Sequence, residues 1–510
     1  MKKYLYFFIL LSCSFSKAQT PDEALRSAWF TQNGSARVVA IGGVMGSLGG
    51  DISAANINPA GIGLYKTKEL VFNAGLLNNN NNFNYRDTLN NSEKNIFRLS
   101  GLGLVLGQGA KYTSSKLKST AFAISFNQIA NYQNNISFKG LNNYSSFSEQ
   151  YLEELVGDKA DTNAALKNYI FGSSLAFRTY LVDTLADNTG KFIGYKSLVP
   201  ISTGVIQEYN AQTRGAYNEL ALAFAGNYSD KFYVGGTIAI PIISYKRELE
   251  YSEKDATNNT NNNFSSFTYK ESFQSSGVGL GLKLGTIYKP AEFIRLGLAF
   301  HTPQIISFRD KIRASMTTNT EAYAGTISET SDALNSNNPG ERNYTLVTPY
   351  RVIASASYVF REVENTKKQR AFLSADIEFV NYKGARFLKT DDGGNLVKDY
   401  YETLNNTTKN TYKGNFNFKL GGEIKFDPWM FRAGVAYYGS PYKAEVINAD
   451  RLVLSGGIGY RHHGMFIDLA YAHNIVNDAQ FPYRLNDKAN TFAVQSGNVQ
   501  NIMLTLGFKL

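Results

Sequence analysis

Residues 34–65 read GSARVVAIGGVMGSLGGDISAANINPAGIGLY. Gly, Ala and Ser dominate, and the run is punctuated by Gly42-Gly43, by a Gly49-Gly50-Asp51 turn and by an Asn58-Pro59-Ala60-Gly61 turn. Small residues let one backbone pack closely on another, and the Gly and Asn-Pro punctuation forbids a single long helix or strand. The expectation is a compact plug. The rest of the chain decides what it plugs.

After this stretch come apolar-alternating runs about as long as a tilted membrane-crossing β-strand. In 416–426, Phe416, Phe418, Leu420, Ile424 and Phe426 share one face, while Asn417, Lys419, Glu423 and Lys425 share the other. The final run repeats the pattern, with Ile502, Leu504, Leu506, Phe508 and Leu510 opposite Met503, Thr505, Gly507 and Lys509. Period two with charge on one face means one side in lipid or core and one side in water. Short connections fall at 227–230, 288–292, 427–428 and 461–464, and long polar stretches such as 246–272 and 301–345 lie between the hairpins. Outer-membrane barrels show this asymmetry of short periplasmic turns and long external loops. Strands are placed near 68–77, 96–106, 119–129, 216–226, 232–245, 273–287, 293–300, 346–360, 370–381, 413–426, 429–438, 451–460, 465–474 and 498–510, about fourteen of them. An even number returns the C-terminus to the periplasmic side. The fold class is therefore all-β, a transmembrane antiparallel barrel preceded by the plug.

Upstream, residues 1–18 read as a secretory signal: Lys2-Lys3, an apolar core over 4–15, then Ser16-Lys17-Ala18. Cleavage after Ala18 removes Cys13, the one cysteine, and lowers the net charge of +10 by three. The remaining positive charge is spread thinly, with no basic cluster interleaved with aromatics, so nucleic acid is a poor partner. The load of 33 Tyr and 34 Phe against 2 Trp suits aromatic girdles and alternating strands. Beyond the signal there is no apolar run long enough for a spanning helix.

With these features the chain resembles the FadL-type outer-membrane transporters of hydrophobic compounds. In that family a glycine-rich segment, a small-residue stretch containing D-x-S-A, and N-P-A-G form an N-terminal hatch inside a β-barrel. The matching residues are Gly34, Ala36, Gly42, Gly43, Asp51, Ser53, Ala54, Asn58, Pro59, Ala60 and Gly61. The resemblance implies fourteen strands, a hatch over 19–66 and a barrel over 67–510. It also implies passive uptake of a hydrophobic small molecule, such as a long-chain fatty acid or aromatic hydrocarbon, across the Gram-negative outer membrane, among lipid and lipopolysaccharide. Family members are described as releasing ligand sideways where the third strand kinks, but 119–129 contains no Gly or Pro to mark a kink. The family's capture groove lies in the third and fourth external loops, which here are polar, so attention moves to the second loop, 131–215.

That loop carries helical spacing, Phe147, Tyr151 and Leu155, then Leu166, Ile170, Phe177 and Leu181, and two short amphipathic helices are expected to cap the mouth. Phe171, Leu175, Phe177 and Tyr180 are candidate ligand contacts, or else the buried face holding the cap to the rim. In the hatch, Gly42, Gly43, Asp51, Asn58, Pro59 and Ala60 are candidates for a gate, or else filler. The inward charges Lys283, Arg295, Asp376, Glu378, Glu423, Lys425, Arg432 and Asp468 could hold a head group, or could pair with one another and with hatch backbone. The Asn-rich runs in 78–95 and 254–263 are expected to be solvated. No hydrolase elbow, phosphate loop or zinc helix is present, the pair His462-His463 falls in a turn, and Gly101 and Gly103 lie within a strand, so neither enzyme nor cofactor is expected. A docking barrel in a secretion or surface-assembly complex, with a protein partner on the external loops, is the alternative reading. An open porin for polar solutes is the other.

Overall fold

A computed structural model describes residues 21–31, 33–112, 114–257, 259–360, 370–389, 399–444 and 449–510. The predicted signal, 1–18, lies outside them.

Fourteen antiparallel strands close into a barrel. In chain order they are β1 (Lys68–Tyr85), β2 (Thr88–Gly109), β3 (Leu117–Asn131), β4 (Val205–Tyr228), β5 (Phe232–Asp255), β6 (Ser266–Ala291) and β7 (Ile294–His301). They continue as β8 (Arg351–Phe360), β9 (Ala371–Asn381), β10 (Gly414–Phe426), β11 (Trp429–Tyr438), β12 (Arg451–His462), β13 (Met465–Gln480) and β14 (Ala493–Lys509). The barrel closes where β1 pairs with β14, from Glu69 opposite Lys509 to Asn84 opposite Val494. Closure leaves no free strand edge, the condition for a sheet to live in lipid.

Alternation places the side chains as the sequence predicts. On β10, Phe416, Phe418, Leu420, Ile424 and Phe426 are at least 45% exposed on the outer face, whereas Asn417, Lys419 and Glu423 are at most 4% exposed in the lumen. The apolar face meets lipid and the polar face meets the plug.

Three expectations about the external side are corrected. The Asn-rich run 78–95 is strand and not loop, with its outer face and its turn exposed: β1 runs through it to Tyr85, Arg86 and Asp87 turn the chain with positive φ, and β2 starts at Thr88. Its amides bond across strands, Asn78 Nδ2 to Asn95 Oδ1 at 2.7 Å and Asn81 Nδ2 to Asn134 Oδ1 at 2.8 Å, so polarity is met inside the sheet. Most of 246–272 and 301–345 is also strand, since β5 and β6 are 24 and 26 residues long and Ile305–Asn319, Thr326–Thr330 and Gly340–Val347 stand above β7 and β8. Such strands exceed what a bilayer needs and rise beyond it. The cap over 131–215 has three helices rather than two, Glu149–Gly157, Thr162–Lys167 and Ser173–Arg178, followed by a hairpin of Val182–Ala186 and Phe192–Ser197. Phe147, Tyr151, Leu155 and Leu175 bury the cap against Tyr251, Phe267 and Tyr269 on the strand tops.

Candidate functional site

The hatch fills the lumen as two short helices, Ala36–Ala40 and Ala54–Ile57, and a 3-10 turn, Pro59–Leu64. Ser35 caps the first helix by accepting the Val38 N–H at 3.3 Å, and its hydroxyl donates to Asp51 Oδ2 at 2.7 Å. Asp51 also accepts the Ser53 N–H at 2.9 Å, which ties the hatch to itself. Asn58 accepts the Ala60 N–H at 3.1 Å and donates to the carbonyls of Gly46 and, on β6, Thr286. Pro59 then starts the 3-10 turn, where a missing N–H costs nothing.

Why the hatch must be small-residued is visible on the wall beneath it. Gly421 on β10 and Gly434 on β11 are register partners, and a Cβ on either would stand closer than 3.0 Å to the backbone of Ile41 or Gly42. Gly235 on β5 and Gly285 on β6 form a second pair, under Asn58-Pro59, with the same lack of room. Two paired-glycine sockets thus receive the Gly-Gly and Asn-Pro turns of the hatch. Around them the wall supplies polar ties: Asp376 accepts the N–H groups of Met45 and Gly46 at 3.0 Å each, Thr505 accepts Ala36 N–H at 2.7 Å, and Thr237 donates to Ala55 O at 2.7 Å.

The predicted inward charges are buried in the lumen, except for the partly exposed Lys425, and most are paired. Arg432 sits between Glu423 and Asp468 at 2.6 Å from each, Arg37 of the hatch joins Glu423 at 3.2 Å, and Lys425 lies 3.8 Å from it. Glu378 holds Lys419 and Arg351, both at 2.8 Å. Lys283 pairs with Glu219 and donates to Asn56 O of the hatch at 3.2 Å, and Arg295 is buried on the same side. Arg37, Glu219 and Arg98 are absent from the expected set. The alternation Phe97-Arg98-Leu99 marks Arg98 as inward, and the same rule applied to 216–226 finds Glu219.

Above the hatch is a cavity of about 1250 Å³. Its floor includes Val39, Gly42 and Gly43, its walls include Arg98, Tyr209 and Tyr245, and the cap closes it with Phe147, Tyr151 and Phe171. The chamber between plug and cap is lined by aromatic side chains together with charged and amide ones, Arg26, Arg247, Glu271 and Asn501 among them, and has room for a guest.

A family model for "outer membrane protein transport protein (OMPP1/FadL/TodX)" matches residues 207–508. The chain belongs to this family. Members act in the outer membrane in transport of hydrophobic compounds. No curated protein sequence matches the chain. Among solved structures, a Pseudomonas aeruginosa FadL homologue is similar at 14% identity over 94% of this chain and 99% of that one, with a TM-score of 0.54. The Pseudomonas putida toluene transporter TodX is similar at 11% identity over 94% and 99%, with a TM-score of 0.52. At these identities the likeness shows the fold.

In this FadL/TodX family member the four cap candidates separate. Phe171 lines the cavity, Leu175 is fully buried in the cap core, Phe177 packs edge-on to Tyr195, and Tyr180 packs edge-on to Tyr323 at the surface. Only Phe171 of the four lines the cavity; Leu175 and Phe177 belong to the face that holds the cap together.

Among the described residues, the ladder between β2 and β3 is interrupted part-way along the two strands. The β2–β3 ladder runs from Gly109 opposite Ser119 to Gly101 opposite Asn127 and stops there. Beyond it β3 shifts register against β4 at Gln128/Ala130, and the chain continues as Asn134–Asn142, paired with β4 alone. Side chains bridge the break, with Ser92 Oγ donating to Asn135 O at 2.7 Å and Asn135 Nδ2 to Glu93 O at 3.3 Å. The third strand, whose own residues carry no Gly or Pro to mark a kink, thus shifts register at its outer end. Its marker is on the neighbouring strand, where Gly215 takes φ +115 and accepts the Tyr132 N–H at 3.0 Å.

The lead segment, Pro21–Arg26 and the residues after it, docks above the hatch, with Arg26 over the Tyr245 ring at 3.7 Å and Arg451 over Trp29 at 3.6 Å. Glu23 is buried beside Tyr344, Asp310, Arg26 and Arg247. Burial, then the charge of Asp310, pushes its carboxyl up to about 8 from 4.5, against the pull of Arg26 and Arg247. An undocked segment releases that proton near the ordinary value, whereas the docked one keeps it. Docking is therefore strongest below pH 4.5 and weakens as pH rises towards 8, by on the order of a few kcal/mol. A nitroxide on Thr31→Cys is expected to show a mobile fraction that grows over this window. Glu23→Gln should flatten the response, and a pH-independent spectrum in the parent would refute it.

Proposed function

We propose that this protein carries out passive uptake of hydrophobic small molecules across the outer membrane, with the chamber between cap and hatch as the holding site. The cavity is the observation that carries the reading. A lipopolysaccharide leaflet excludes apolar solutes and a water-filled pore solvates them poorly, so a protein chamber supplies a path that neither offers. TodX is described as a toluene transporter, and aromatic hydrocarbons are one cargo class consistent with the Tyr and Phe walls. Transport needs no cofactor and runs down the gradient.

Two exits exist in principle, past the hatch or through the wall. The hatch is held by two glycine sockets and by hydrogen bonds from several strands, whereas the β2–β3 break is bridged by side-chain hydrogen bonds alone. This favours the wall, with the hatch as floor, and assigns Asn58 and Pro59 a seating role through which they act on uptake.

The test is uptake of labelled toluene and oleate by porin-deficient cells displaying the protein. Uptake above the empty vector by several-fold is expected for at least one cargo, and Asn58→Ala/Pro59→Ala is expected to reduce it at unchanged surface level. No uptake of either, with a stoichiometric protein partner recovered instead, would favour the docking reading.

A further inference from the structure

On the outer wall of β4, β5 and β6 the side chains change character at one height. The outward apolar run of β5 goes from Phe232 through Val234 and Ile238 to Ile242. That length of tilted strand rises about 25 Å, the height of the apolar band of an outer-membrane barrel. Ile242 therefore marks the outer edge of the band, with Val278 of β6 its register partner. Just above runs a row of register partners: Arg214 on β4, Lys246 on β5, Gln274 on β6, Lys311 on Ile305–Asn319 and Glu341 on Gly340–Val347. Between row and apolar edge stand Ser244, Ser276 and Arg309, again in register. All face away from the lumen, since the residues alternating with them, Tyr245, Phe273 and Asp310, are buried.

The cations of this patch outnumber its carboxylates. Glu341 is shared by Arg309 at 2.6 Å and Lys311 at 3.0 Å, Lys246 meets Glu248 at 2.6 Å, and Arg214 is exposed with no ion pair among the described residues. Exposed pairs of this kind are weak and exchange partners readily. The charge is local. On β1 the apolar outer face ends at Leu76, and the next outward residue, Asn78, has Asn95 and Gln500 as its register partners, amides with no charge. We propose that the patch over β4, β5, β6 and Ile305–Asn319 binds the phosphate of an acylated phosphosugar, the lipid A part of the lipopolysaccharide leaflet, with acyl chains against Ile242, Val278 and Ile305. Arg and Lys give a phosphate charge-assisted hydrogen bonds, and the serines and Gln274 between them offer partners to sugar hydroxyls. None of these residues lines the cavity above the hatch, so the inference does not rest on the uptake reading.

The experiment is native mass spectrometry of the full-length protein in detergent, titrated with hexa-acyl lipid A, with its dephosphorylated form and with phosphatidylglycerol. Lipid A is expected to bind at least about tenfold tighter than either of the others. Arg214→Gln/Arg309→Gln/Lys311→Gln should weaken it by about tenfold or more, since a cation at a charged membrane surface contributes roughly fivefold. Lys167→Gln/Lys191→Gln/Lys196→Gln removes the same charge from exposed positions in the cap and should change nothing. Equal binding of dephosphorylated lipid A would overturn the proposal, as would unchanged binding in the wall variant or an equal loss in the cap variant. Equal binding of phosphatidylglycerol would reduce the patch to a general attraction for anionic lipid and would overturn it too. The parent comparison decides even where a variant fails to fold. Uptake of toluene or oleate has no part in this readout, so a failure of the uptake reading leaves the result standing.

Discussion

Valine at both Gly421 and Gly434 is expected to unseat the hatch while the barrel stays folded. The two glycines face each other across the β10–β11 hairpin, and their missing side chains leave the space that the Ile41-Gly42 backbone occupies. Backbone cannot rotate away as a flexible side chain can. Overpacking of this kind costs about 1–3 kcal/mol per site, and valine suits a strand, so the cost falls on the hatch and not on the sheet. A shift of that size raises the unseated population roughly tenfold or more. Planar-bilayer recordings should show a closed parent and a conducting double variant, and trypsin should cut at Arg37 only in the variant. Gly236→Val is the control, since a Cβ there meets only Leu284 and Lys283 O at 3.6 and 3.8 Å. A double variant as closed and as protease-resistant as the parent would show that the sockets do not seat the plug.

The sockets also show where sequence reading runs out. Alternation and turn spacing located each of the fourteen strands, because one face of every strand is lipid-facing and a one-residue slip would put Phe416 in the lumen and Glu423 in lipid. Gly42-Gly43 and Asn58-Pro59 were legible as close-packing turns. Their partners were not, since recognising Gly421 with Gly434 or Gly235 with Gly285 needs the register between strands as well as the strands themselves. The Asn-rich run 78–95 misleads for a different reason: composition marks a loop, yet the run is strand, with one row of amides in the lumen, the other on an exposed outer face, and both bonding across strands. The bend after β3 leaves its mark one strand away at Gly215. What a residue does in a barrel depends on its cross-strand and lumen neighbours, and these are remote in sequence.

The second large effect concerns the charges under the hatch. Arg432→Met is expected to destabilise the protein by about 3–5 kcal/mol, the cost of leaving a buried charge without its partner. Arg432 is fully buried and bridges Glu423 to Asp468 at 2.6 Å each; removing it leaves Glu423 with Arg37 and Lys425 but strips Asp468 of its ion pair. The cost therefore resides in Asp468. Arg432→Met/Asp468→Leu should recover part of the loss, a non-additivity of about 1–3 kcal/mol that a double-mutant cycle reads directly. Lys270→Met supplies the contrast, because its pair with Glu250 is more than half exposed on both sides and should matter by less than about 1 kcal/mol. Guanidinium unfolding of vesicle-inserted protein measures all three. A loss at Arg432 no larger than at Lys270 would mean that water reaches the lumen network and screens it. A large loss with full additivity would place the damage in packing and not in charge. Arg37 belongs to the hatch and shares Glu423 with Arg432, so the same variant should also loosen the plug: conductance that rises together with lost stability would show that the barrel wall and its hatch are stabilised by one buried network.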